Sequence, residues 1–137
     1  MEYDGSWNLD SEEKGFEKMS AGINGRAIDF AKLGRLYLND GNWNGVQIVP
    51  SEWVAESTSS KGLVPYYCYF WWVPPCSADS REYMALGNHG QFIFVSPEKN
   101  LIIVRNGEEY GLEGAGEEWG GIFCQFAKSM PEPGATD

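Results

Sequence analysis

Apolar residues recur with two different periods along this chain, and each period predicts its own elements. Between residues 24 and 41, Ala27, Phe30, Ala31, Gly34 and Tyr37 or Leu38 fall at i, i+3, i+4, i+7 and beyond. That spacing predicts a helix with one apolar face. Asn24 is placed to cap its start, and Asn39-Asp40-Gly41 supplies the residues that end a helix. Next, Asn44-Gly45 stands between short apolar arms, the pattern of a tight hairpin turn. Ser51 then precedes Glu52 to Thr58, predicting a short second helix capped by Ser51, with Trp53 and Val54 turned inward.

The period changes to two in the second half. Residues 66–73, Tyr-Tyr-Cys-Tyr-Phe-Trp-Trp-Val, are apolar or aromatic on both alternating faces and predict one strand covered on both sides. After a proline-rich polar excursion over 74–82, residues 85–104 read as two strands joined by Pro97-Glu98-Lys99-Asn100, with the first entered through the glycine-rich segment that holds the only histidine, His89. Phe92 and Phe94 are expected to share a face with Ile102 and Val104, and Ile93 and Val95 with Leu101 and Ile103. Trp119, Ile122, Phe123, Phe126 and Met130 are three or four apart and predict a final helix, with acidic residues at its start and Lys128 near its end. Residues 1–22 read as an extended loop and 131–137 as a flexible tail.

The expected fold class is therefore α+β: an antiparallel sheet of three main strands flanked by helices. The sheet has an open edge with neither charge nor proline to block it. Such an edge suggests part of a larger sheet, or a route to a homo-oligomer.

Composition narrows the function classes. The chain has 137 residues, enough for one domain, and aromatic residues make up 15% of it, which calls for a core or a binding wall of large flat side chains. The formal net charge of −10 opposes nucleic-acid phosphates and anionic membrane surfaces, so neither is expected as a partner. No apolar run approaches a membrane span, and the opening residues lack the pattern of a signal peptide, so the chain as it stands is expected in the cytoplasm. Cys68, Cys76 and Cys124 lack metal-ligand spacing and are expected to be buried or free thiols. A lone histidine with scattered cysteines makes no metal site, and no cofactor is expected.

The order of these pieces resembles a known family. "GINGRAIDFAKLGRLYLNDGNWNGVQIVPSEWV", "YCYFWWV" and "GNHGQFIFVSPEKNLIIVRNG" are similar, in order and spacing, to the helix and hairpin, the aromatic strand and the final hairpin of the serine β-lactamase-like hydrolases. That family includes class C β-lactamases, penicillin-binding proteins and related esterases and amide hydrolases. The resemblance implies that residues 1–130 are the C-terminal portion of such a domain, which hydrolyses a small-molecule ester or amide through an acyl-enzyme. It also implies a nucleophile in Ser-x-x-Lys, a proton-transfer group in Tyr-x-Asn and a third motif on the closing hairpin. The first two are expected upstream of Met1, so no catalytic residue is assigned in this chain and it is expected to be inactive alone.

Ser11 to Lys14 and Ser96 to Lys99 fit Ser-x-x-Lys in letters only, because one lies in an acidic loop and the other in a turn between strands. Tyr37-Leu38-Asn39 spells Tyr-x-Asn but ends the apolar helix, where Tyr37 packs and Asn39 caps. For the third motif, either Ala85-Leu86-Gly87 or His89-Gly90 occupies the pocket wall, within a pattern that runs from Ala85 to Gln91. No lysine stands there to attract a β-lactam carboxylate, which points to an esterase, amidase or peptidase-like relative. His89 either contacts substrate and tunes the pocket or satisfies a carbonyl at a strand entry. Gly87 and Gly90 allow close backbone approach to a ligand or to a neighbouring helix. A second reading makes the chain an independent aromatic-rich module that binds carbohydrate or peptide.

Overall fold

The structure, a computed structural model, describes residues 3–18, 21–59, 64–74, 76, 81–111 and 117–134. The elements in chain order are β1 (Ser6–Trp7), β2 (Ile23–Asn24), α1 (Ala27–Leu38), β3 (Asn42–Trp43), β4 (Val46–Gln47), α2 (Ser51–Ser57), β5 (Tyr67–Cys68), β6 (Trp71–Trp72), β7 (Tyr83–Gly87), β8 (Gln91–Ser96), β9 (Leu101–Arg105) and α3 (Glu117–Ser129). The fold is α+β, as the alternation of periods predicts. Five strands, in the order β5-β6-β7-β8-β9, form an antiparallel sheet, with α1 packed on one face and α3 on the other.

Three expectations about this sheet need correction. Residues 66–73 are a small hairpin, because Cys68 pairs with Trp71 across a turn in which Tyr69 and Phe70 both take positive φ, 43° and 74°. Bulky residues rarely adopt that conformation, so the usual Asn-Gly turn signal is missing. The third long strand is β7, and the glycine-rich segment is the turn between β7 and β8. Finally, Val95 pairs with Ile102 and Phe94 with Ile103, which reverses the expected faces of β9. Four turn residues separate Ser96 from its partner Leu101, so odd positions on β8 meet even positions on β9.

That register makes two cores. On the α3 face, Met84, Phe92 and Phe94 pack with Phe123, Cys124 and Ala127, flanked by Leu101 and Ile103. On the α1 face, Trp71, Tyr83, Ile93 and Val95 pack with Phe30, Tyr37, Leu38, Ile102 and Val104. Gly34 lets α1 approach closely: a Cβ there would lie 2.9 Å from Ile102 Cγ2 and 3.1 Å from Ile93 Cγ2. In α3 the inward stripe is Trp119, Phe123 and Ala127, whereas Ile122, Phe126 and Met130, expected inside, are exposed.

Local signals also shift. Asn24 pairs within β2 and donates to Asn8 Oδ1 and Gly22 O, while Arg26 stands at the N-cap of α1 without a side-chain cap. In α2 the cap is Pro50, whose carbonyl accepts from Trp53 and Val54; Ser51 is the first helical residue and Trp53 is exposed. The expected loop over 1–22 contains β1 and a Leu9–Glu17 bridge in its described part. The Asn44-Gly45 turn holds, with both residues at positive φ. Within the tail, Lys99 pairs with Glu132 and donates to Met130 O, while residues 135–137 lie outside the described residues.

Cys76 and Cys124 form a disulfide between the segment ahead of β7 and α3, not the thiols expected. Cys68 is a free cysteine.

Tyr83 supplies a pH test of the α1-side core. Burial, chiefly, holds its phenol above the usual tyrosine range, with Asp40 and Tyr37 adding to the rise and Arg81 opposing it. The folded chain therefore holds this proton more tightly than the unfolded chain. This contribution is complete below about pH 10, the unfolded tyrosine value, and is lost as the pH rises above it. Unfolding free energy should fall by about 1 kcal/mol per pH unit in that range. Urea midpoints between pH 8 and pH 11 should show a shallower decline in Tyr83→Phe than in the parent. Equal slopes would show that Tyr83 does not control alkaline stability.

Candidate functional site

The five residues expected at a pocket wall lie together at one end of the sheet. Ala85 and Gly87 are in β7, paired with Ile93 and Gln91, and His89 and Gly90 occupy the turn between β7 and β8. Among the described residues β6 reaches β7 only at Trp72–Met84, so Ala85–Gly87 has no strand beyond it on that side. Free N–H and C=O groups along such an edge offer hydrogen bonds to an extended ligand backbone.

Residues 88–90 turn sharply, with φ of 60° at His89 and 79° at Gly90. The His89 side chain is exposed, its ring centroid 6.3 Å from that of Tyr110. Gly90 is buried, and a Cβ on it would overlap the Arg105 guanidinium. The close approach at Gly90 is therefore to an arginine, not to a helix. Gly87 leaves room for the Gln91 side chain, whose Cβ would lie 3.1 Å from a Cβ at position 87.

Arg105, which the sequence reading did not single out, is the organiser of this end. Its Nη1 donates to Gly90 O at 2.6 Å, its Nη2 donates to Glu109 O at 3.0 Å, and its guanidinium carbon lies 4.5 Å from the centre of the Trp119 ring. Gln91 Nε2 donates to Gly107 O, and Trp119 Nε1 donates to Tyr110 O at 2.6 Å. Strand alternation puts Gln91 on the α1 face and Arg105, which pairs with Phe92, on the α3 face. They thus hold residues 106–111 from both sides of the sheet. The available signal was an arginine closing an otherwise apolar strand, and only the register reveals its target.

Neither serine-lysine pair resembles a catalytic helix turn. Ser96 is fully buried and donates to Glu82 Oε1 at 3.2 Å, while Lys99 points to the C-terminal end of α3. Ser11 lies in an exposed loop ahead of a turn at 12–14. Tyr37 packs 4.7 Å from the Trp71 ring, and Asn39 Nδ2 donates to Arg35 O at the end of α1, as expected for packing and capping. Among the described residues, no group of three or more histidine, cysteine, aspartate or glutamate side chains could hold a metal ion. No described helix is long and apolar enough to cross a membrane.

No protein-family model and no curated protein matches the chain. Among solved structures it is similar to a protein named as a 6-aminohexanoate-dimer hydrolase from Bacillus anthracis, with 25% identity and a TM-score of 0.74. The match covers 90% of this chain but 34% of that structure, so the chain spans about a third of its relative's length. The chain has the α+β fold of part of a β-lactamase/transpeptidase-like hydrolase.

Proposed function

We propose that the chain forms the C-terminal part of a serine hydrolase that cleaves an ester or amide through an acyl-enzyme, and that the nucleophile lies on the part of the fold this chain does not span. The observation that carries this reading is a fold match covering nine-tenths of the chain but only a third of a hydrolase. The edge of β7 and the turn at His89 would form one wall of the pocket, with Ala85, Gly87, His89, Gly90 and Gln91 as its residues. The relative's name points to an amide between amino-acid units as the substrate class. No lysine stands at the third-motif position, which supports esterase or amidase chemistry over β-lactam hydrolysis.

Two of the aromatic residues in the 66–73 hairpin support packing, whereas Trp53, Tyr66, Tyr69 and Phe70 are exposed. Trp71 is 6% exposed in the α1-side core, and Trp72 packs against the α3-side core.

Intact-mass analysis after incubation with a fluorophosphonate and, separately, a penicillin tests the proposal. A chain shown to be folded by circular dichroism should carry no stoichiometric adduct with either reagent. One adduct mapped to one serine, above all Ser11, would make the chain an enzyme by itself and overturn the reading.

A further inference from the structure

Three donors from three elements, Gln91 on β8, Arg105 on β9 and Trp119 on α3, all end on backbone carbonyls around residues 88–90 and 106–111. The carbonyls bound by Arg105 have a specific place in the chain. Gly90 follows His89 directly, and Glu109 directly precedes Tyr110. One guanidinium thus fixes the backbone beside each of the two ring-bearing residues that face each other at 6.3 Å. We infer that Arg105 is a positioning residue, which joins the β7–β8 turn to the segment after β9 and presents His89 and Tyr110 as one ligand-contacting pair at the pocket wall.

This inference rests on the reading of that end as a pocket wall. The chemistry needs arginine in particular. A planar guanidinium donates along two directions in its plane while its face stacks on an indole, and the ammonium of lysine, a point charge on a flexible stem, cannot do both. The neighbouring glycines fit the same purpose. A Cβ on Gly90 or Gly107 would occupy the space the guanidinium fills, and one on Gly111 would come within 3.2 Å of Nη2.

His89 is the only histidine, so its imidazole Cε1–H gives a single proton resonance that reports on this pair. The ring current of Tyr110 should displace that resonance in the parent chain. Tyr110→Ala should remove the displacement. In an Arg105→Lys background, still folded by circular dichroism and by dispersed core methyl signals, the displacement caused by Tyr110 should be largely lost. Tyr110→Ala should then have little further effect.

If Tyr110→Ala moves the resonance equally in both backgrounds, Arg105 does not position the pair. If Arg105→Lys and Arg105→Gln both unfold the chain, Arg105 is core support and the inference is likewise overturned. Neither result touches the adduct experiment, so the two ideas fail separately.

Discussion

Reducing the Cys76–Cys124 disulfide is expected to lower the unfolding free energy by about 4 kcal/mol, the chain-entropy value for a closed loop of this length. The bridge spans 48 positions in sequence, and opening it returns that freedom to the unfolded chain. Cys124 lies in the α3-side core, where a thiol of nearly the same size fits, so little native packing should be lost on reduction. Urea unfolding with and without reductant should show the loss. A thiol titration supplies the control, because the count should rise from one, Cys68, to three. An unchanged midpoint after that rise would show that the bridge contributes nothing to stability. Bridges of this kind persist in oxidising compartments, which is in tension with the cytoplasmic placement expected from the opening residues.

Phe94→Ala is expected to cost about 3–5 kcal/mol, the range for removing a large aromatic side chain from a packed core. Phe94 is 0% exposed in the central strand of the long hairpins, paired with Met84 and Ile103, and its ring centroid lies 5.6 Å from that of Phe123. Neither neighbouring strand can close a hole between them without giving up its register. A small domain with about 5–15 kcal/mol of total stability would lose a large part of it. Phe126→Ala, on the exposed side of α3, provides the contrast and should change stability little. Thermal melts of both variants would decide the matter, and a Phe94→Ala melting point within a degree or two of the parent would sink the assignment of the core.

Much of this architecture was legible because pattern and position agreed. The apolar stripe from Phe30 to Leu38 predicts α1, and the Asn44-Gly45 turn is present as expected. The strands around Phe94 and Ile103 also lie where the alternation puts them. The misreadings have separate physical causes. Tyr69 and Phe70 occupy left-handed turn positions that sequence rules reserve for asparagine and glycine. The faces of β9 depend on the parity of a turn, and no single strand records that parity. The Cys76–Cys124 bridge joins distant segments, so spacing alone could not assign it.

The candidate site shows the same division. Ala85 to Gln91 form one continuous structural unit, as their sequence grouping suggested. Arg105, 15 residues beyond Gly90, was missed because its bonding to that turn is a product of strand pairing. In sequence it is merely the end of an apolar run. Ile122, Phe126 and Met130 were misplaced for another reason. An apolar stripe wider than the surface it covers looks, in sequence, the same as one that is fully buried.

The order of strands in the five-stranded sheet is also their order along the chain. The β5–β6, β7–β8 and β8–β9 pairings therefore close short turns, and those hairpins can form from local contacts alone, within the microseconds usual for such turns. The α1-side core differs, because Phe30 and Tyr37 must find Ile93, Val95 and Val104 across more than half a sheet's worth of intervening chain. Folding kinetics should then divide in time, with the sheet forming early and the arrival of α1 setting the slow phase. Within this chain α1 precedes every strand of the five-stranded sheet, so during synthesis its full docking surface on β8 and β9 forms only after those strands have emerged.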